Sequence, residues 1–264
     1  MKNIHITSVG ASIITNLSKE YPELKILNVG EDSKFEKYLT KDFKRIRDYF
    51  LKNPFRYSAE LNALRSFIED ETVNTVHLII TKTMVSRLNS RLIKEFLKLK
   101  NIECTIQEIS GYYENKDTNT AEREFIKSLS KLRNNLITYI KRQKIKGFNI
   151  FLNATGGFKP DIVILVLVAS ITNSKVYYIH EFFRKIVFIP PLFITTLNDG
   201  MKKLINELHT VIINVPNCRT FIKRNKNSFE EACTLDLLDL KYNDRNEIKE
   251  IKLSGYGKFL AESI

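Results

Sequence analysis

Three short segments of this 264-residue chain carry residue types that can hold or process a phosphate. The first is Asn153-Ala154-Thr155-Gly156-Gly157-Phe158-Lys159-Pro160. Paired glycines let a backbone approach a ligand closely. A helix that starts just beyond them presents unpaired amides and a positive dipole end, which suits an anion. Lys159 adds a mobile cation at that point. The G-x-x-x-x-G-K-[ST] spacing of a P-loop is absent. A Gly-Gly turn after a strand also occurs with no ligand at all, so the segment alone does not decide the matter.

Ser8-Val9-Gly10-Ala11-Ser12 is the second segment. Ser12 there opens a helix, where its hydroxyl could face a ligand. The same serine as a plain N-cap stabilises a helix by about 1 kcal/mol and needs no ligand. The third segment is Thr81-Lys82-Thr83, again just past an apolar run. Metal chemistry finds no support. His5, His77, His180 and His209 are scattered, and no H-E-x-x-H occurs. His5 and His77 fall inside strand-like runs and read as core residues. No Arg-x-x-x-x-His pair of the ribonuclease type is present, and no Ser-His-Asp triad can be assembled. No cofactor is implied either, since G-x-G-x-x-G does not follow the first strand.

The elements that must position these segments alternate. Ile4 to Val9 reads as a strand closed by Gly10, and Ala11 to Glu20 as a helix, the opening of a βαβ unit. Asp32 to Leu51 is helical by spacing and broken by Pro54. A further helix opens at Ser58, a buried strand lies within Val73 to Thr81, and Val85 to Lys100 is an amphipathic helix. Ile102 to Ile109 reads as a strand, Gly111 to Thr120 as a loop, and Ala121 to Lys144 as a helix. Then come the strand Phe148 to Leu152, the helix Pro160 to Ile171, and the strands Val176 to Ile179 and Lys185 to Ile189. The last returns too soon for a crossover helix and should pair antiparallel at an edge. The fold class is therefore α/β: a Rossmann-like, mainly parallel sheet flanked by helices over residues 1–195. All three phosphate-type segments then fall on the carboxyl edge of one sheet, where open α/β folds bind ligands.

Residues 196–264 differ. Met201 to Ile213 and Ser228 to Leu240 read as helices, the latter with Ser228 as N-cap and Glu231 completing a capping box. Ile248 to Leu253 alternates like a strand, and Gly255 to Ile264 reads as a closing helix. A winged helix and a small helical dimerisation unit fit equally well.

Composition narrows the function. Hydrophobic residues are 43% of the chain, which excludes wholesale disorder. Three cysteines without a Cys-x-x-Cys pair exclude a disulfide scaffold and an all-Cys zinc ribbon. No apolar run reaches the roughly 18 residues of a membrane span. With no signal-peptide pattern at the start, the chain reads as cytoplasmic and without a membrane partner. The net charge is +12. Residues 1–195 hold 31 Lys+Arg against 20 Asp+Glu, a net of +11, and residues 196–264 hold 11 against 10. A basic surface attracts polyanions, although lysine enrichment across a whole genome would give the same figure. A DNA-reading tail should carry the excess charge itself, and this one does not.

Several segments resemble the CRISPR-associated Rossmann-fold (CARF) proteins that sense cyclic oligoadenylates. They are Ser8-Val9-Gly10-Ala11-Ser12-Ile13-Ile14 with Asn16, Ser58-Ala59-Glu60-Leu61-Asn62, Leu78-Ile79-Ile80-Thr81-Lys82-Thr83 and Asn153 to Lys159. Tyr177-Tyr178-Ile179 followed by Ile189-Pro190-Pro191 fits the end of such a domain, so the likeness spans about residues 1–192. Two positions depart from the family pattern. Ala11 stands where Thr is frequent, and Thr81-Lys82-Thr83 where Ser-x-Thr is frequent.

The resemblance implies a homodimer whose two domains form one two-fold pocket for cyclic tetra-adenylate. The implied ligand-binding residues are Ser8, Gly10, Ala11, Ser12, Ile13, Thr81, Lys82, Thr83, Asn153, Thr155, Gly156, Gly157, Phe158 and Lys159. A short chain of this kind is similar to the stand-alone ring nucleases, which cleave the messenger without metal. Lys159 and Ser12 are then the expected catalytic residues. Two rivals remain at this stage: a ligand-controlled transcription regulator that binds DNA through its tail, and an effector whose activity lies in the tail.

Overall fold

The computed structural model describes residues 2–24, 36–110, 118–180, 182, 184–189, 197–235, 237–254, 257, 258 and 261. It divides into two compact units, Met1–Leu192 and Phe193–Ile264.

In the first unit β1 (Lys2–Ser8) leads into α1 (Ser12–Glu20). Three short helices follow: α2 (Glu36–Leu39), α3 (Phe43–Phe50) and α4 (Pro54–Tyr57). Next come α5 (Ala59–Glu69), β2 (Thr75–Thr81), α6 (Met84–Leu99), β3 (Glu103–Ile109) and the long α7 (Thr118–Ile145). The unit closes with β4 (Phe148–Asn153), α8 (Lys159–Thr172), β5 (Lys175–Ile179) and β6 (Ile186–Ile189). The strands form one sheet in the order β3-β2-β1-β4-β5-β6. β1 to β5 run parallel and β6 returns antiparallel on β5, with Tyr177 opposite Phe188. The mainly parallel sheet and its antiparallel edge agree with the sequence expectation.

Burial follows from this layering. Every residue of β2 is buried, as expected for a strand with helices on both faces. Alternate side chains feed two cores. Val76, Leu78 and Ile80 join Ile13, Leu17, Leu61, Leu64 and Leu92 on one face. Ile4, Ile6, Ile150 and Leu152 join Leu132, Leu136, Ile140 and Leu165 on the other. Local signals fix the helix starts. The Ser58 Oγ accepts from the Leu61 amide at 3.1 Å, and the Thr83 Oγ1 from the Ser86 amide at 3.2 Å. Among the described residues no helix is long and apolar enough to cross a membrane.

The helix expected over Asp32 to Leu51 is two helices. The Thr40 and Asp42 amides both fall back on the Lys37 carbonyl, which turns the chain between α2 and α3. Residues 32–35 and Pro190-Pro191 lie outside the described residues, as do residues 111–117 of the loop expected over Gly111 to Thr120, whose last three residues are instead the first turn of α7.

The second unit runs α9 (Asp199–Thr210), β7 (Ile213–Asn214), α10 (Asn217–Arg224), α11 (Lys226–Thr234), β8 (Leu238–Tyr242) and β9 (Ile248–Leu253). Its antiparallel sheet has the order β7-β9-β8. The single helix expected over Ser228 to Leu240 is corrected here. α11 stops at Thr234, and the chain crosses into β8, where Leu238 pairs with Leu253 and Leu240 with Ile251. Leu238 and Leu240 are two residues apart, so both turn to one face of a strand. Ser228 sits inside α11 rather than at its cap, beside Gly200 of α9. α10, which the periodicity does not announce, brings Cys218 and Phe221 into the same small core. The closing helix expected over 255–264 lies largely outside the described residues.

Candidate functional site

The chain moves outward from β1 to β2 and β3, then jumps back to β4 on the other side of β1. That reversal makes a switch point between β1 and β4, the place where open α/β folds form a ligand crevice at the strands' carboxyl ends. The two loops that flank it are the glycine segments singled out in the sequence, and they touch. A Cβ on Gly10 would lie 3.2 Å from the Gly157 Cα.

Beneath them sits a residue that the spacing did not mark as functional. Glu60, fully buried near the start of α5, accepts from the Gly10 amide at 2.8 Å through Oε1. Its Oε2 accepts from the Ser58 hydroxyl at 2.7 Å and from the Ser12 hydroxyl at 3.1 Å. A carboxylate so far from water is costly unless donors surround it. Here three donors and the positive end of α5 do so. Ser-Ala-Glu at a helix start is an ordinary capping sequence, which is why nothing in the spacing pointed inward.

Ser12 is half-buried at the start of α1. Its hydroxyl donates to Glu60 and accepts from the Ala59 amide at 3.2 Å. Ala11 occupies the N-cap position with no side-chain cap. The Gly10 carbonyl accepts from the Asn89 side chain at 2.7 Å, a further contact that sequence reasoning missed.

The second loop is held as tightly. Gly157 has φ +110°, and a Cβ there would meet the Ser8 Cβ and Oγ at 2.6 Å. A Cβ on Gly156 would lie 2.9 Å from Glu60 Oε1. The close approach that the glycines allow is thus, first, to their own chain. Asn153 accepts from the Thr155 amide at 3.0 Å and donates to the Glu60 carbonyl at 3.2 Å. Thr155 Oγ1 accepts from the Ile179 amide at 2.9 Å, which ties the loop to β5. Phe158 precedes α8, whose start has no side-chain cap. Lys159 is the first residue of that helix and is exposed.

Four expected ligand contacts are buried: Thr81, at 8% exposed, and three that lie deeper. Ser8 is 1% exposed and donates to Asp161 at 2.8 Å, while Asn153 and Ile13 are fully buried. Ser8 and Asn153 hold loops, and Ile13 packs in the core, so none of the three lines the crevice. The Thr81-Lys82-Thr83 segment lies at the end of β2, next to β1. Thr83 caps α6, Thr81 Oγ1 is 3.2 Å from Thr83 Oγ1, and Lys82 is exposed. The Thr81 amide donates to Ser86 Oγ at 3.3 Å, and that hydroxyl donates to the Val9 carbonyl at 3.4 Å, linking this turn to the first loop.

Beside Thr155 opens a cleft of about 1240 Å³ with Arg56, Arg65, Arg184 and Lys185 in its lining, over Phe55 and Ile179. Arg56 pairs with Glu20 at 2.9 Å and Arg65 with Glu69 at 2.8 Å. These cations lie far apart in sequence, so only the fold gathers them. Among the described residues no group of three or more His, Cys, Asp or Glu could hold a metal ion.

An α/β domain with two glycine loops packed against each other at its switch point is the class that fold and site define. Residues 55–192 match the family model described as CRISPR-associated protein (Cas_APE2256), and the chain belongs to that family. It is similar to protein VC1899 from Vibrio cholerae, with 9% identity and a TM-score of 0.42 over 98% of this chain and 64% of that one. It is similar to Can2 from Sulfobacillus thermosulfidooxidans in complex with cyclic tetra-adenylate, with 7% identity and a TM-score of 0.39 over 99% and 64%. Csm6 from Enterococcus italicus bound to cyclic hexa-2′-fluoro-hexa-dAMP matches at 12% identity and a TM-score of 0.39 over 89% and 52%. The chain thus spans less than two thirds of the length of each of these three.

Proposed function

We propose that this protein is a ring nuclease: it binds cyclic tetra-adenylate between two copies of its α/β unit and cleaves the ring without metal, switching off type III CRISPR signalling. The observation that carries this reading is the junction at the switch point. There the Ser12 loop and the glycine loop meet, and the uncapped start of α8 carries Lys159. Membership of a CRISPR-associated family and the +11 charge of residues 1–195 support a small polyanionic signal as ligand. The basic cleft beside Thr155 adds room and charge for it. Support for a dimer comes from α8, whose outer side leaves Val163 67% and Ile171 44% exposed. Such an apolar helix face suits burial against a second copy.

In the proposed reaction the ribose 2′-OH attacks the adjacent phosphorus in line and the 5′-oxygen leaves. Two such cuts give linear di-adenylate ending in a 2′,3′-cyclic phosphate. Little covalent chemistry falls to the protein, so positioning and charge stabilisation carry the rate. Lys159 stabilises the phosphorane, Ser12 orients the 2′-OH, and the Gly156-Gly157 backbone cradles phosphate. Purified protein incubated with cyclic tetra-adenylate in EDTA should yield the linear product. An intact ring after hours, together with tight binding, would sink the nuclease and leave a sensor.

One observation favours a second reading, a cyclic-oligoadenylate-responsive regulator that binds DNA. The order helix, strand, helix, helix, strand, strand, with the middle position of the sheet taken by the last strand, fits a winged helix. Its near-neutral charge argues against a duplex partner. A DNA-binding assay with and without the ring separates the two readings.

A further inference from the structure

The reaction proposed above needs a proton acceptor for the 2′-OH, and Lys159, as a cation, cannot serve. We propose that Glu60 is that acceptor, acting through the Ser12 hydroxyl as a two-proton relay. The inference deepens the ring-nuclease reading and rests on it.

Hydrogen-bond accounting carries it. A serine hydroxyl has one proton and two acceptor lone pairs. The Ser12 proton points to Glu60 Oε2 at 3.1 Å, and one lone pair is taken by the Ala59 amide at 3.2 Å. Both Glu60 oxygens are taken as acceptors, Oε1 by the Gly10 amide and Oε2 by the Ser58 and Ser12 hydroxyls, so Ser12 cannot turn its proton toward a ligand without breaking that bond. What Ser12 keeps for a ligand is its second lone pair, on a residue that is half-buried at the start of α1. An oxygen in that state accepts a hydrogen bond from a 2′-OH. It is not set up to donate one to a phosphate. Glu60 therefore fixes the direction of the chain: ribose hydroxyl to Ser12, Ser12 to carboxylate.

The step balances. The 2′-oxygen forms a bond to phosphorus as its proton passes to Ser12 Oγ, and the Ser12 proton passes to Glu60 Oε2. The bond from phosphorus to the 5′-oxygen breaks, and that oxygen takes a proton from the Lys159 ammonium. Exchange with water afterwards returns a proton to Lys159 and removes one from Glu60. Because Glu60 reaches the ribose only through Ser12, it is a positioning and proton-accepting residue behind the site.

The environment of Glu60 limits what else could give the same pH dependence. Its hydrogen-bond partners on the β1–α1 loop and at the α5 start are the Gly10 amide, Ser12 and Ser58, none of which titrates near neutrality. On the β4–α8 side the nearby charged residues are Lys159 and Asp161, and Asp161 is held by Ser8 at 2.8 Å. On α4 and α5, Arg56 pairs with Glu20 and Arg65 with Glu69. Toward β5 and β6 the cleft contributes Arg184 and Lys185. His5, on β1, is held neutral by burial, its pKa lowered to about 3.

Single-turnover cleavage of cyclic tetra-adenylate, followed from pH 4 to pH 9, tests the relay. Glu60→Gln keeps the shape and an acceptor oxygen but cannot take a proton. The rate should fall about 10²- to 10⁴-fold, the range that general-base catalysis spans. The rising limb of the pH profile should flatten, while ring binding stays within a few-fold of wild type. A variant that cleaves within threefold of wild type, with the same rising limb, would overturn the proposal. Should Glu60→Gln not fold, the wild-type protein in mixtures of H₂O and D₂O gives the answer. The relay moves two protons and Lys159 gives a third to the 5′-oxygen, so the rate should curve downward with deuterium fraction. A straight line or no isotope effect overturns the relay. A wild-type protein that binds the ring and never cuts it removes the nuclease reading and this inference together, whereas a cutting enzyme with an unaffected Glu60→Gln removes this inference alone.

Discussion

Ser8 and Asp161 lie 153 residues apart and meet at 2.8 Å, hydroxyl to carboxylate, in a spot from which solvent is excluded. The bond clamps the end of β1 to the first turn of α8. It thereby fixes the two loops of the candidate site against each other. Gly157 packs on the same serine, so one side chain sets both the distance and the angle between them.

Replacing Ser8 by alanine keeps the Cβ that Gly157 packs against and removes only the donor. Asp161 is then left buried with one partner fewer, which costs about 1–3 kcal/mol. Thermal denaturation should show a melting point several degrees lower. Ligand affinity, read by titration with cyclic tetra-adenylate, should fall with it, because the loops lose their common anchor. An unchanged melting point would mean that the clamp is not a stabilising contact.

Two glycines with positive φ separate backbone strain from overlap. Gly147, at φ +82°, has nothing within 4 Å of a built Cβ, whereas a Cβ on Gly157, at φ +110°, strikes Ser8 at 2.6 Å. Gly147→Ala should cost about 1–3 kcal/mol from conformation alone. Gly157→Ala should cost that and a similar amount again for the overlap. Denaturant titration of both variants checks the order. Equal midpoints would contradict the packing of Gly157 against Ser8.

Most of the first unit was legible because its strands are short apolar runs set between long helices, and each run carries its own stop signal. The loops of the site were legible for a topological reason. Once strands alternate with helices, the segments after β1, β2 and β4 must share one edge of the sheet. Glu60 was not legible as part of the site, since a glutamate in the first turn of a helix is commonplace and only the tertiary fold turns it under Gly10 and Ser12. The break between α11 and β8 escaped for another reason. Leu235 and Leu238, like Leu237 and Leu240, are spaced three apart as in a helix, with no alternation across Leu237-Leu238, and the strand is set instead by Leu253 and Ile251 pairing with Leu238 and Leu240 across the sheet.

His5 predicts how stability should depend on acid. Its ring stacks on Phe151, its Nδ1 meets the Tyr177 hydroxyl at 2.9 Å, and burial lowers its pKa from 6.5 to about 3. Between those values the unfolded chain binds a proton that the folded one refuses. The stabilisation is therefore complete above pH 6.5 and is lost as the pH falls toward 3. At about 1.4 kcal/mol per pH unit, the whole window is worth about 5 kcal/mol as an upper bound. His77, lowered by burial as well, acts in the same direction. Melting curves at intervals from pH 7 to pH 4 should fall steeply for the wild type. His5→Gln, less stable at pH 7, should fall less steeply. Parallel slopes would assign the acid sensitivity to other groups.

On the proposed function, Lys159→Ala should separate cleavage from binding. Lys159 is exposed at the first position of α8, so its ammonium supports no core contact, and its removal should leave the melting point unchanged. A cation that meets a phosphorane stabilises charge that develops mainly in the transition state, and loss of one such group costs about 10²- to 10³-fold in rate. On the same proposal, the ring's charge in the bound state is also met by the start of α8 and by the cations of the cleft. Affinity should accordingly drop only several-fold on Lys159→Ala, and its dependence on salt should weaken. Single-turnover cleavage and a binding titration on one preparation give both numbers. Comparable losses in rate and affinity would make Lys159 a general anchor for the ring. A large loss in rate beside a small loss in affinity would place it at the scissile phosphate.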